Sequence, residues 1–294
     1  MGAMRPALHL LGAGRAGTAL VRLLHRAGHP VERVVARTLE SARDAAESIG
    51  AGTPTTDAAT AFSDGAVTLI GLPERALAPA CAELARRLDP RRDAVALHLS
   101  GSLPAEVLAP LAARGIRIGS LHPLASFPDR ARLPDTLEGT TFDVDGDGPA
   151  REAARELARA LRGHVVELGP DGKALLHAAA CVASNSFVAL FDLACRLAES
   201  AGASPLAARN AMAALAASTL ENLARSGSPG ALSGPIERGE PEVIARHLEV
   251  LARRAPAELP RYVELARATL DVAQRKGTLE PARAAALAKL LARG

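Results

Sequence analysis

Residues 8–17 read Leu8-His9-Leu10-Leu11-Gly12-Ala13-Gly14-Arg15-Ala16-Gly17, a short apolar run followed at once by three glycines in G-x-G-x-x-G spacing. A helical pattern then carries Leu20, Leu23 and Leu24, and a second apolar run closes near Ala36. Strand, tight turn, helix, strand is the unit that lays a dinucleotide across the edge of a sheet. Gly12 permits the turn, Gly14 lets the main chain approach a pyrophosphate, and Gly17 lets the helix pack closely on the strand. The phosphate cradle expected from this spacing runs through Gly12, Ala13, Gly14, Arg15, Ala16 and Gly17, where the N–H groups of a helix start face the anion. The glycine spacing alone is a weak signal; the strand before it and the helix and strand after it supply the context.

The end of the second strand bears on which dinucleotide. A chain that binds NAD usually has Asp or Glu there, accepting hydrogen bonds from the ribose hydroxyls. This chain has Arg37, followed by Thr38 and Ser41. A carboxylate would repel a 2′-phosphate, whereas a guanidinium holds one by two charge-assisted hydrogen bonds. The expected cofactor is NADP(H).

The chain has 294 residues, room for a large core and most naturally for two domains. Aromatic residues make up 2% and Trp is absent, so the core must be built from Ala, Leu and Val. The net charge of +3 is spread without a Lys/Arg block, which argues against a nucleic-acid partner. Cys81, Cys181 and Cys195 are widely spaced and read as reduced thiols of a cytoplasmic protein. No signal-peptide pattern is seen. The most apolar window, Leu175 to Leu197, is interrupted by His177, Asn185 and Asp192, and reads as a buried helix rather than a membrane span. Asp143, Asp145 and Asp147 lack the remaining ligands of a calcium loop and read as a solvated turn, so no metal site is expected.

Further strands are expected at 53–55, 67–71, 94–99, 116–121, 140–144 and 164–168, with helices at 40–49, 78–88 and 149–161 between them. That makes an α/β Rossmann domain with a parallel sheet over residues 1–168. Gly71-Leu72-Pro73 ends one strand and should flank the cofactor, because ligands of open α/β sheets lie at the carboxyl ends of strands. Ser100-Gly101-Ser102 ends the next and should approach the nicotinamide, or else Ser102 caps the following turn. His122 could line the site or cap a turn. From 169 to 294 strand signals vanish and helical periodicity runs through 172–201, 205–226, 241–254, 258–276 and 281–292, an all-α domain. On its first helix Lys173, His177 and Ser184 fall in one stripe at 100° per residue, with Cys181 and Asn185 beside it. Partners for such a polar stripe would be found in a cleft between domains. In the loop Ser233 to Glu240, Arg238 could clamp a substrate carboxylate.

The glycine turn with Arg37-Thr38, His98-Leu99-Ser100-Gly101-Ser102, Ser120-Leu121-His122-Pro123-Leu124, Lys173 to His177 leading into Ala183-Ser184-Asn185, and Gly234-Pro235-Ile236-Glu237-Arg238-Gly239 together carry a resemblance. The chain resembles, over nearly its whole length, Rossmann-like NADP oxidoreductases with a C-terminal helical domain of unassigned function, related to ketopantoate reductase and pyrroline-5-carboxylate reductase. That group's Gly-Asp after the arginine is Gly239-Glu240 here. In ketopantoate reductase a lysine opening the helical domain is the general acid, with polar residues one and two turns on. Lys173 and His177 match the first two of these positions, and Cys181 stands at the third.

The resemblance and the residues imply an NADPH-dependent reductase of a small carbonyl or imine, such as a 2-oxo acid like ketopantoate. Lys173 or His177 would donate the proton; Ser184, Asn185 and Ser100 would orient the substrate and Arg238 would hold its carboxylate. By analogy with that architecture the helical domain would pair two copies into a homodimer. A non-catalytic NADP(H)-binding sensor or scaffold is the alternative, and a Rossmann protein for some other nucleotide a third.

Overall fold

A computed structural model of the chain describes residues 5–127 and 134–292. They fall into two compact units, 1–182 and 183–294. The first is built on an eight-stranded sheet. Its strands are β1 (Leu8–Leu11), β2 (Val31–Val35), β3 (Thr53–Thr55), β4 (Val67–Ile70), β5 (Val95–His98), β6 (Arg117–Pro123), β7 (Thr141–Gly146) and β8 (His164–Glu167), in the order β3-β2-β1-β4-β5-β6-β7-β8. All neighbours are parallel except β6 and β7.

The helices that make the parallel crossovers are α1 (Arg15–Arg26), α2 (Leu39–Ile49), α3 (Glu74–Arg87), the short α4 (Ala109–Ala112) and α5 (Gly148–Ala160). With both faces covered, β1, β4 and β5 are buried along their whole length, which is why they read as apolar runs interrupted only by His9, Thr68 and His98. One core gathers Leu10, Leu20, Leu24, Leu69, Leu97 and Phe142; the other gathers Ile70, Leu77, Cys81, Leu108 and Leu111. The connection from β6 to β7 carries no helix among its described residues, and β7 pairs antiparallel with β6. Gly119↔Gly146 through Pro123↔Phe142 fix the register.

The expectation of a solvated turn at the three aspartates is corrected here. Asp143 is a buried residue of β7; Asp145 accepts the Ala105 N–H (2.9 Å); Asp147 caps α5 by accepting from Ala150 N–H (2.9 Å). Each carboxylate serves a backbone group or a buried cation, which a solvated turn would not require.

A sixth helix, α6 (Pro170–Cys181), belongs to the first unit. A π segment, Val182–Ser186, follows it, then α7 (Phe187–Ser200), α8 (Pro205–Ala231, broken at Gly227 with φ 68°), α9 (Pro241–Arg254), α10 (Leu259–Lys276) and α11 (Pro281–Leu291). The second unit's core is Ile236, Ile244, Ala266, Leu270 and Leu287. The window read as a buried helix is not buried within the chain. Of α7 only Leu193 is buried, and Val188 is 66% exposed. By length and composition the helix Asp171–Ser200, with an 18-residue window of mean hydropathy 1.7, could cross a membrane.

Phe142 is fully buried, and a Cβ on Gly163 would stand 2.3 Å from its ring. Phe142→Ala should therefore cost about 3–5 kcal/mol of unfolding free energy by urea titration. A loss below about 1 kcal/mol would show that the ring is not held in a dense core.

Candidate active site

The glycine turn is built by close approach of two main chains. Gly12 has φ +97°, and a Cβ there would stand 2.9 Å from the carbonyl of Gly71. A Cβ on Gly17 would stand 2.9 Å from Leu10 Cδ1, which is how α1 comes down onto β1. Gly71-Leu72-Pro73 thus lies against the glycine turn, at the carboxyl ends of β1 and β4. The N-cap of α1 is Gly14, which has no side chain to spend on the first-turn N–H groups. Beyond β2, Arg37 is exposed, and Thr38 Oγ1 caps α2 by accepting from Ser41 N–H (3.2 Å) while donating to Ser41 Oγ (3.0 Å). A cradle that a Cβ would fill, an uncapped helix start and a guanidinium after the second strand together fit a 2′-phosphorylated dinucleotide.

A polar cluster occupies the carboxyl ends of β4, β5 and β6. Glu74 opens α3; its carboxylate accepts from Ser100 Oγ and from Ser102 Oγ (2.7 Å). Ser100 Oγ also accepts from the N–H groups of Ser102 (3.2 Å) and Leu103 (3.1 Å), so this hydroxyl is committed to folding the turn. His98 accepts from Ser100 N–H at Nδ1 (3.2 Å) and faces the Pro104 carbonyl with Nε2 (3.2 Å), which fixes the Nε2–H tautomer. Between the two serines Gly101 is clasped by two imidazoles. A Cβ there would lie 2.5 Å from His122 Cε1 and 2.5 Å from His177 Nδ1. The rings meet edge to face, centroids 5.7 Å apart. His177 Nε2 contacts Cys181 Sγ (3.7 Å), and its buried Nδ1 has no hydrogen-bond partner among the described residues.

Lys173, one turn before His177 on α6, is fully buried. Its Nζ donates to Asp143 Oδ2 (2.5 Å) and Ser120 Oγ (3.1 Å). The structure therefore brings Lys173, His177, Gly101 and Ser100 of the expected site together. Ser184 and Asn185 are exposed and lie in the π segment, whose i→i+5 ladder breaks the uniform 100° spacing that put Ser184 in one stripe with Lys173. Arg238 is exposed, and its guanidinium forks onto Glu240 (2.9 Å at each contact). The cluster also includes Asp143, which the sequence reads as part of a solvated turn, Ser120, which it shows only within a motif, Glu74, for which it gives no site signal, and His122, which it allows either to line the site or to cap a turn.

Burial pushes His122 down to about 4, helped by the facing Lys173 and His177 and opposed by Glu74. Burial likewise takes His98 to about 4, with Lys173 helping. Burial alone would raise Glu74, but the hydroxyls of Ser100 and Ser102 outweigh it and hold the carboxyl below its usual range. Both histidines are neutral at pH 7.

An unfolded histidine takes up its proton near pH 6.5, while folded His98 resists until about 4. Its contribution is complete above pH 6.5 and is lost as pH falls from there to about 4, on the order of 3 kcal/mol. Urea midpoints at pH 7.5 and 4.5 should show this loss, and His98→Gln should lessen it. An equal loss in that variant would remove His98 from the account.

Residues 2–123 match the Rossmann-like domain family, and residues 140–269 match the domain of unknown function DUF2520. No curated protein sequence matches the chain. Solved structures do. BF3122 of Bacteroides fragilis, a protein assigned as an NADP oxidoreductase, is 24% identical with TM-score 0.72, covering 90% of this chain and 98% of its own. An imine reductase from Pseudomonas sp. is 18% identical with TM-score 0.61, covering 98% of this chain and 99% of its own. A pyrroline-5-carboxylate reductase from Coxiella burnetii is 14% identical with TM-score 0.57, covering 98% and 99%. The chain joins a Rossmann-like domain to a DUF2520 domain.

Proposed function

We propose that the protein is an NADPH-dependent reductase of a small carbonyl or imine, with 2-oxo acids such as ketopantoate as the first substrate class. The observation that carries this reading is the pair of imidazoles clasping Gly101 on the same sheet edge as the glycine turn. The NADP oxidoreductase and the imine and pyrroline-5-carboxylate reductases that share the fold support it. The Gly12–Gly17 turn would hold NADPH, with Arg37, Thr38 and Ser41 toward its 2′-phosphate, and the bound cofactor would supply the hydride. The residues at the edge of β5 and β6 supply the rest. His177 donates the proton that the oxygen or nitrogen of the substrate gains as its carbon is reduced. Lys173 is a poorer donor because its ammonium is enclosed by Asp143 and Ser120. Neutral His122 orients the substrate by hydrogen bonding. On the second unit Arg238 is the proposed carboxylate ligand, exchanging Glu240 for the substrate, with Ser184 and Asn185 as further polar contacts.

A second copy of the chain is the proposed cover for the apolar faces of α7 and α8. Val188 is 66% and Leu215 62% exposed, and no charged residue lies between Arg209 and Glu221. In a two-fold dimer this uncharged stretch of α8 would be buried against its own copy. The apolar helix then needs no membrane to cover it.

Incubation with NADPH and a panel of 2-oxo acids and cyclic imines should show loss of the nicotinamide absorbance. His177→Ala should lower kcat by about 10²–10⁴-fold. Arg37→Ala should weaken NADPH about 10–100-fold and leave NADH unchanged. Tight NADPH binding with no turnover across the panel would replace the reductase by a sensor. Sedimentation should give a dimer, and Leu215→Glu should yield monomer; a monomeric wild type would remove the second copy.

A further inference from the structure

Only three of the 35 basic residues are lysines, at 173, 276 and 289, and the one at 173 is fully buried. An arginine fork carries five N–H donors, whereas the partners present here are one carboxylate oxygen and one hydroxyl. A compact ammonium suits that enclosure.

Its neighbours are arranged as a two-rung ladder. Ser120 and His122 are two apart on β6 and so point to one face of the sheet. Asp143 is the register partner of His122 on β7 and stands on that same face. Lys173 and His177 are four apart on α6 and share one face of the helix. Four helical residues rise about 6 Å and two strand residues about 6.6 Å, so the rungs match. The lower rung is Lys173 on Ser120 and Asp143; the upper is His177 on His122, with Gly101 in their clasp.

We propose that Lys173 is a positioning residue: clamped between β6 and β7 by Ser120 and Asp143, it sets the register of α6 on the sheet so that His177 meets His122 over Gly101, and it does not itself donate the proton. The inference rests on the reductase reading only for what the histidines are used for. The same buried charge faces His122, together with His177 from α6 and Glu74 from α3, and contributes to keeping that imidazole neutral. Among the described residues Asp143 Oδ1 has no hydrogen-bond partner.

The test uses the resting protein, so a failure of turnover and a failure of this inference are separate results. Histidine C2 proton resonances are titrated by NMR, with His122 assigned through His122→Gln. In the double variant Lys173→Met/Asp143→Asn, which removes both charges and nearly keeps the volume, the His122 midpoint should shift, since the facing ammonium is gone and α6 is no longer held in register over the ring. The cross-peak between the His122 and His177 rings should weaken. A folded double variant with midpoint and cross-peak unchanged overturns the proposal. Should the double variant not fold, reductive methylation of the wild type decides: Lys276 and Lys289 should react while Lys173 stays protected. Methylation of Lys173 at the rate of the other two would overturn the inference.

Discussion

A buried ammonium against a buried carboxylate, Lys173 on Asp143, is the contact on which the carboxyl edge of the sheet depends. Desolvating two ions is expensive, and a pair of well-packed apolar side chains would often be as stable. What the ions add is directionality. An apolar helix can slide or rotate against a sheet at small cost, but an ammonium that must meet Ser120 and Asp143 admits one placement of α6. Removing either partner alone would leave an uncompensated charge, typically 3–5 kcal/mol. The pair is thus costly to break and of little net value to global stability, the profile of a device that selects one geometry.

The reversal at β7 makes that device available. Because β7 runs antiparallel to β6, Asp143 falls directly across from His122 and Asp145 across from Ser120. Asp145 takes the Ala105 N–H and Asp147 the Ile118 N–H (3.2 Å) as well as the cap of α5. The strand that departs from the parallel pattern therefore carries the carboxylate that meets Lys173. The glycine turn depends on no such pair. It depends on the absence of side chains at Gly12, Gly17 and Gly71, where two main chains share the space that Cβ atoms would occupy.

Local features of the fold were legible in the sequence. The glycine spacing, the buried strands and the helix starts at Pro205, Pro241 and Pro281 are written within a few residues of where they act, and the structure places elements there. Partners distant in sequence were not legible. Asp143 lies thirty residues before Lys173 (|i−j|=30), and nothing in an alternating aspartate run distinguishes a buried carboxylate from a solvated one. The π segment escaped because Val182–Ser186 has no breaker, and periodicity assumes an unbroken ladder. Hydropathy failed on α7 for a different reason: it reports that a helix avoids water, not which surface relieves it of water.

The same limit bears on how lysines are read in chains of this kind. A lysine opening a helical domain invites assignment as a general acid because its type and position suit that role. Its environment decides whether the role is available. An ammonium able to donate to a substrate needs a face that the substrate can reach, and Lys173 has none: it is fully buried and its donors are directed at Asp143 and Ser120. His177, one turn on, is partly exposed as a residue, and its buried Nδ1 has no hydrogen-bond partner among the described residues. Two residues four apart on one helix thus divide between them what sequence position would assign to the first alone. On the proposed reading the lysine supplies the registration and the histidine the exchangeable proton.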